Sequence, residues 1–170
     1  LPLMVERFAQ LAETRGSDIP RPLSNPTLEI TTAQRDATLN KLNLTLEKPI
    51  AVFCPGAEYG PAKRWPTAYF ADIAQRLQQQ GYAVWLIGSA KDQAVADEIV
   101  QLAGNCKNMC GSTNLTDAIA LLSCARLVIS NDSGLMHLAA ALDRPLLALF
   151  GSSSPQFTPP LSAQAHILKL

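Results

Sequence analysis

The chain has 170 residues, of which 48% are hydrophobic and 16% charged, and its formal net charge is zero. This composition is typical of one globular domain with a packed interior and argues against disorder. A neutral charge balance argues against a broad nucleic-acid-binding surface, and no apolar run approaches the roughly 20 residues that span a bilayer.

The start of the sequence lacks both an initiator methionine and the pattern of a secretory signal peptide. We therefore expect the sequence to be a piece of a longer protein. The four cysteines match no zinc-binding spacing, which favours free thiols in a reducing compartment. They are Cys54, Cys106, Cys110 and Cys124.

Two helices joined by an irregular connection are predicted in the first part of the chain. Apolar residues recur at helical spacing over residues 3–14, and Thr31 or Thr32 can cap a second helix that ends near Leu42. The connection is rich in proline, serine and asparagine, as linkers are. We place a boundary near residue 45, so that residues 1–45 form helices and a linker and residues 46–170 form a domain of their own.

Short apolar runs alternate with helical patterns in the second part. The runs predict strands over residues 50–54, 83–87, 106–109, 127–130, 146–150 and 166–170. The intervening patterns predict helices over residues 67–80, 91–102, 116–123 and 135–142. In these helices we expect Leu102 to face inward and Thr116 to act as a cap.

Solidly apolar strands that alternate with helices indicate a parallel sheet covered on both faces. The sequence therefore predicts an α/β fold, a Rossmann-like doubly wound parallel sheet. Ligands of such sheets bind at the carboxyl ends of the strands. The candidate site thus lies in the loops that follow Cys54, Ile87, Met109, Ser130 and Phe150.

The loop over residues 55–66 carries two cations, Lys63 and Arg64. Gly56 and Gly60 allow the backbone to approach a ligand closely, and the cations would neutralise phosphate charge. For this loop taken alone, a surface loop with solvated cations is an equally good interpretation.

The apolar run that ends at Ser130 stops at a polar corner and leads into an alanine-rich helix. Free N–H groups at such a helix start favour a phosphate. Gly134 leaves this terminus open, and His137 lies on the same face as Ser133. Asp132 and Ser133 are also good N-caps, so a purely structural cap is the alternative for both.

Weaker signals follow the other strands. Gly88 leaves room for a flat ligand, and Ser89 or Asp92 could accept a hydrogen bond from a ribose hydroxyl, although a helix cap is the simpler explanation of Asp92. The segment Gly111–Leu115 could contact a base, and residues 151–155 could line the same pocket.

Several motifs are absent. The sequence contains neither G-x-G-x-x-G, G-x-x-x-x-G-K-[ST] nor G-x-S-x-G, so we do not expect a nicotinamide dehydrogenase, a P-loop NTPase or an α/β-hydrolase. No D-x-D pair is present, so we expect no metal and no cofactor. If a diphosphate leaves during a reaction here, Lys63, Arg64 and helix dipoles must stabilise its charge instead of a metal.

The two loops, PGA…GPAKRWP in residues 55–66 and NDSGLMHLAAA in residues 131–141, resemble those of the ADP-heptose:lipopolysaccharide heptosyltransferases, glycosyltransferase family 9. The resemblance runs along the whole chain. It implies the GT-B architecture, two Rossmann-like domains facing each other across a cleft, with this chain as the C-terminal half. Residues 1–45 would then be interdomain helices and a linker, and residues 46–170 the nucleotide-sugar-binding domain, truncated at its C-terminus.

The resemblance also implies an activity for the longer protein: transfer of L-glycero-D-manno-heptose from ADP-heptose to the lipopolysaccharide inner core, with inversion and without a metal. The residues implied to bind the donor diphosphate and sugar are Lys63, Arg64, Asp132, Ser133, Gly134 and His137. The residues implied to surround the adenosine are Gly88, Ser89, Asp92, Gly111 and Leu115.

The family's general base lies in the N-terminal domain, so we assign no catalytic residue within this chain and expect no transfer by it alone. The acceptor would be bound through that domain, at the cytoplasmic face of the inner membrane, with peripheral membrane association and no nucleic-acid partner. Two alternatives stay open: a non-catalytic nucleotide-binding Rossmann module, and a GT-B enzyme that uses another nucleotide sugar.

Overall fold

Six strands and six α-helices form the fold in the computed structural model, which describes residues 3–58 and 60–169. The strands are β1 (Ile50–Cys54), β2 (Ala83–Leu86), β3 (Cys106–Asn108), β4 (Ala125–Asn131), β5 (Leu146–Phe150) and β6 (Ala165–Lys169). The helices are α1 (Met4–Leu11), α2 (Thr32–Lys41), α3 (Thr67–Gln79), α4 (Gln93–Ala103), α5 (Leu115–Ser123) and α6 (Gly134–Ala141). Tyr59 of the cationic loop and Leu170 of the last predicted strand lie outside the described residues.

All strand pairs are parallel, and the order in the sheet is β3-β2-β1-β4-β5-β6. The chain builds the sheet outward from β1 to β3 and then returns to the centre to continue from β4 to β6. The predicted doubly wound sheet is therefore confirmed, and its topological switch point lies between β1 and β4.

The central strands are apolar throughout because helices cover both faces of the sheet. Every residue of β1 is buried, and alternate side chains enter two separate cores. Val52 belongs to the core under α5 and α6, whereas Phe53 packs against Phe70 of α3 in the other core. This two-sided burial explains why these strands show continuous hydrophobic runs.

Two predictions about the helices are wrong. Leu102 is 48% exposed, because α4 packs through the smaller side chains of Ala96 and Ala103 together with Ile99, which rotates Leu102 out of the core. Thr116 is not the cap of α5. Asn114 takes that position, and its side chain accepts a hydrogen bond from the N–H of Asp117.

The segment that precedes the sheet packs on it through α2. Thr31 caps this helix as predicted, and Leu39 belongs to the core beneath α5. Lys41 Nζ lies 2.7 Å from Asp117 Oδ2, which also accepts a hydrogen bond from the N–H of Asn114. The Lys41 ammonium lowers the pKa of the buried Asp117 carboxyl below its ordinary value.

No helix among the described residues is both long and apolar enough to cross a membrane.

Replacing Lys41 by methionine should weaken the attachment of α2. Because the folded-state pKa of Asp117 is lowered, its ion pair stabilises the fold above the ordinary aspartate range, about pH 4, and this contribution is lost as the pH falls below that range. We expect Lys41→Met to lower the free energy of unfolding by about 1 kcal/mol near neutral pH, with the difference shrinking in acid. Urea denaturation across this pH range measures it. The matched control is Lys48→Met at an exposed position, and an equal loss in both variants would contradict the assignment.

Candidate functional site

A cavity of about 690 Å³ opens at the carboxyl ends of β1, β2 and β4, beside the switch point. Its size suits a small-molecule ligand, and its position is where open α/β sheets bind their ligands. The predicted residues that line the cavity are Lys63, Gly88, Ser89, Asp92, Leu115, Asp132, Ser133, Gly134 and His137.

An ion pair joins the two loops that the sequence singled out. Lys63 ends a 3-10 turn, Pro61–Lys63, and its Nζ donates a hydrogen bond of 2.6 Å to Asp132 Oδ2. Both side chains are largely shielded, being 23% and 9% exposed. An ammonium has three donors and carries a full positive charge, so a phosphate group is a chemically suitable ligand for Lys63.

The N-terminus of α6 meets the cavity without a side-chain cap. Ser133 is at the N-cap position but accepts no hydrogen bond from the helix, and its Oγ lies 3.3 Å from Ser130 Oγ instead. The Asp132 carboxylate is engaged by Lys63 rather than by the helix. The first-turn N–H groups beginning at Gly134 are thus left to a ligand, and the helix dipole favours an anion there.

His137 lies one turn into α6 and also lines the cavity. Burial lowers the pKa of its imidazole below the ordinary value, and the nearby Asp132 carboxylate offsets this only in part. The ring is therefore neutral at physiological pH. A neutral imidazole offers one donor and one acceptor, which suits hydroxyl groups rather than a second phosphate charge.

The buried carboxylate of Asp92 forms hydrogen bonds within its own loop. It accepts hydrogen bonds from Ser89 N (2.9 Å) and Ser89 Oγ (2.8 Å), so Asp92 belongs to a capping box whose N-cap residue is Ser89. Two glycines make room for it: a Cβ would lie 2.3 Å from Asp92 Cγ at Gly56 and 3.0 Å from Asp92 Cβ at Gly88. These contacts bring the loops after β1 and β2 together along one wall of the cavity.

Two predicted residues do not line the cavity. Arg64 turns toward Asp92, with Nη2 3.6 Å from Asp92 Oδ1 and 3.5 Å from the carbonyl oxygen of Ala57. Gly111 has a φ of +75° and packs against Ala90, whose Cα would lie 3.0 Å from a Cβ at that position. Both residues support the surrounding loops instead.

Other lining residues escaped the sequence analysis. Thr158, rather than residues 151–155, reaches the cavity from the loop after β5. Ala118 and Leu138 add an apolar part of the wall, and the sequence pattern placed them only within predicted helices. The thiol of Cys54 also lines the cavity, and burial raises its pKa, so it stays neutral.

Across residues 3–58 and 60–169, no group of three or more His, Cys, Asp or Glu side chains is placed to hold a metal ion.

Comparison with known proteins gives one consistent family. The sequence profile described as "Glycosyltransferase family 9 (heptosyltransferase)" matches residues 1–170. The chain is 46% identical to lipopolysaccharide heptosyltransferase 2 of Escherichia coli (strain K12) and 48% identical to lipooligosaccharide heptosyltransferase 2 of Haemophilus influenzae, with 99% of the chain covered in each case. It covers 51% and 52% of these proteins and so spans about half the length of the curated relatives it matches. Among solved structures, it superposes on E. coli ADP-heptose lps heptosyltransferase II with a TM-score of 0.93 at 46% identity, covering 99% of this chain and 54% of that one.

Replacing Gly56 by alanine should disrupt the wall around Asp92. The new methyl group would overlap a buried carboxylate that two hydrogen bonds hold in place, so Asp92 must move and lose them. We expect a loss of about 2 kcal/mol in the free energy of unfolding. Gly134→Ala is the control, because a Cβ there meets nothing within 4 Å and alanine favours the helix. Chemical denaturation measures both, and equal stabilities of the two variants would contradict the packing argument.

Proposed function

The chain belongs to glycosyltransferase family 9, and we propose that it is the donor-binding part of a longer enzyme that transfers heptose from ADP-heptose to the lipopolysaccharide inner core. One observation carries the proposal: a shielded lysine and an uncapped helix N-terminus meet in a cavity at the switch point. The name of the E. coli relative, which includes ADP-heptose, supports this choice of donor.

In this proposal the diphosphate binds where Lys63 and the start of α6 converge. When the glycosidic bond to the donor sugar breaks, negative charge grows on the departing ADP. Lys63 and the first-turn N–H groups of α6 are already oriented toward that charge, so they stabilise it as it develops. The neutral ring of His137, one turn along the helix, is available to a sugar hydroxyl.

The adenosine would lie along the wall formed by Gly88, Ser89 and Leu115, with Asp92 behind it. Because the Asp92 carboxylate is engaged by Ser89, its part in the proposal is to shape this wall rather than to accept a ribose hydroxyl. Arg64 would support the same wall through Asp92 and would not contact the phosphates.

The remaining steps are proposed for the rest of the longer protein. It would supply the general base, bind the inner-core acceptor and associate peripherally with the cytoplasmic face of the inner membrane, and the inverting reaction would need no metal. We accordingly propose that the chain by itself binds the donor without transferring the sugar.

Nucleotide selectivity tests the proposed donor. We expect the chain to bind ADP more tightly than UDP or GDP in calorimetric titrations, since the donor is an adenine nucleotide. A preference for UDP or GDP would favour a GT-B enzyme with another nucleotide sugar. Failure to bind any of the three would contradict the proposed donor site.

Replacing Lys63 by alanine should weaken ADP binding by about 1–3 kcal/mol, as expected for the loss of a hydrogen bond to a charged group. The loss should be larger at low ionic strength, because salt screens the attraction between an ammonium and a diphosphate. Calorimetric titration at two salt concentrations measures it. Lys107→Ala is the matched control, since that ammonium donates to the carbonyl oxygen of Asn43 and does not line the cavity. Equal affinities in the two variants would remove Lys63 from the site.

A further inference from the structure

Asn131 is a buried polar residue to which the proposed chemistry gives no role. It is the last residue of β4, it pairs in register with Leu149 of β5, and it is 0% exposed. Its side chain points across the switch point toward the loop that carries Lys63. A fully buried amide is costly unless its donor and acceptor are both used, so its partners are informative.

The amide of Asn131 bonds both ends of the cationic loop. Its Nδ2 donates a hydrogen bond of 2.7 Å to the carbonyl oxygen of Pro55, the residue that follows β1. Its Oδ1 accepts a hydrogen bond of 3.1 Å from the N–H of Trp65, near the other end. The Asn131 side chain thus connects the beginning of the cationic loop to its end.

The loop is held at further points close to Lys63. The Trp65 ring packs against Tyr69 and Phe70 of α3, with centroid distances of 5.4 and 5.1 Å. The carbonyl oxygen of Ala62 lies so close to Gly151 that a Cβ there would be 3.1 Å away. Because Lys63 lies between Ala62 and Trp65, the position of its backbone is determined on both sides.

Asn131 and its neighbour Asp132 act on opposite ends of Lys63. Asp132 contacts Lys63 Nζ, whereas Asn131 holds the backbone two residues after Lys63. The two residues where β4 ends therefore fix both the backbone and the ammonium group of Lys63.

The amide suits this position because it has both a donor for Pro55 and an acceptor for Trp65. An aspartate would place an oxygen against the carbonyl of Pro55, and an apolar side chain would leave the buried Pro55 carbonyl and the Trp65 N–H without this partner.

We propose that Asn131 is a positioning residue: it clamps the cationic loop, residues 55–66, so that the Lys63 ammonium faces the donor diphosphate. The inference rests on the proposed function, since it takes the diphosphate as the ligand of Lys63. Asn131 itself makes no contact with the donor and acts through Lys63.

A double-mutant cycle on ADP binding tests the clamp. ADP is titrated into the unsubstituted chain, Asn131→Ala, Lys63→Ala and the double variant. We expect Asn131→Ala to weaken ADP binding about tenfold when Lys63 is present and less than about twofold when it is absent, because the clamp matters only through the lysine. Ile99→Ala is the control for a general loss of stability, since the Ile99 side chain of α4 is fully buried in the core, makes no hydrogen bond to the cationic loop and does not line the cavity.

Hydrogen exchange provides a second measurement, and its decisive part uses only the unsubstituted chain. The Trp65 amide should be protected in the unsubstituted chain, because it donates to a buried oxygen, and it should exchange rapidly in Asn131→Ala. Rapid exchange in the unsubstituted chain would show that the clamp does not exist.

The outcomes separate the two proposals. Losses of affinity that add independently, or an equal loss in Ile99→Ala, would overturn the positioning role while leaving the donor site intact. A chain that protects the Trp65 amide but binds no ADP would overturn the donor site and, with it, the function of the clamp.

Discussion

The parallel pairing of β1 with β4 is the constraint on which the site depends. It brings Lys63 and Asp132, which are 69 residues apart in sequence, within 2.6 Å of each other. The register places Cys54 opposite Ser130, so the loops after both strands start at the same level of the sheet. Because the chain changes direction across the sheet between these strands, the helices that follow them, α3 and α6, cover opposite faces, and a crevice opens at the strand ends. The cavity, the ion pair and the open end of α6 all lie in that space.

Much of this arrangement could be predicted from the sequence, because it follows from burial and topology. β1 (Ile50–Cys54) and β5 (Leu146–Phe150) match their predictions residue for residue, since strands covered on both faces have continuous apolar runs. Lys63 and Asp132 were assigned to one site because the carboxyl ends of parallel strands share an edge. No knowledge of side-chain contacts was needed for either result.

The remaining details depend on side-chain packing that leaves no periodic trace in a sequence. Arg64 follows Lys63 directly, yet it points away from the cavity toward Asp92, whose position is set by a capping interaction in another loop. Leu102 faces solvent because small side chains determine how α4 is rotated. Thr158 reaches the cavity from an irregular segment, where no pattern distinguishes one residue from its neighbours.

The uncapped start of α6 has a thermodynamic consequence. A serine at the N-cap ordinarily stabilises a helix by about 1 kcal/mol through its side chain, and Ser133 forgoes this contribution. An anion bound at Gly134 would accept hydrogen bonds from the first-turn N–H groups in place of the serine side chain. It would bind only the folded chain, because the helix N-terminus exists only there. Occupancy would then raise the melting temperature in proportion to the logarithm of ligand concentration. If the proposed donor supplies that anion, its diphosphate acts as the cap of α6, and the domain is more stable with the donor bound than without it.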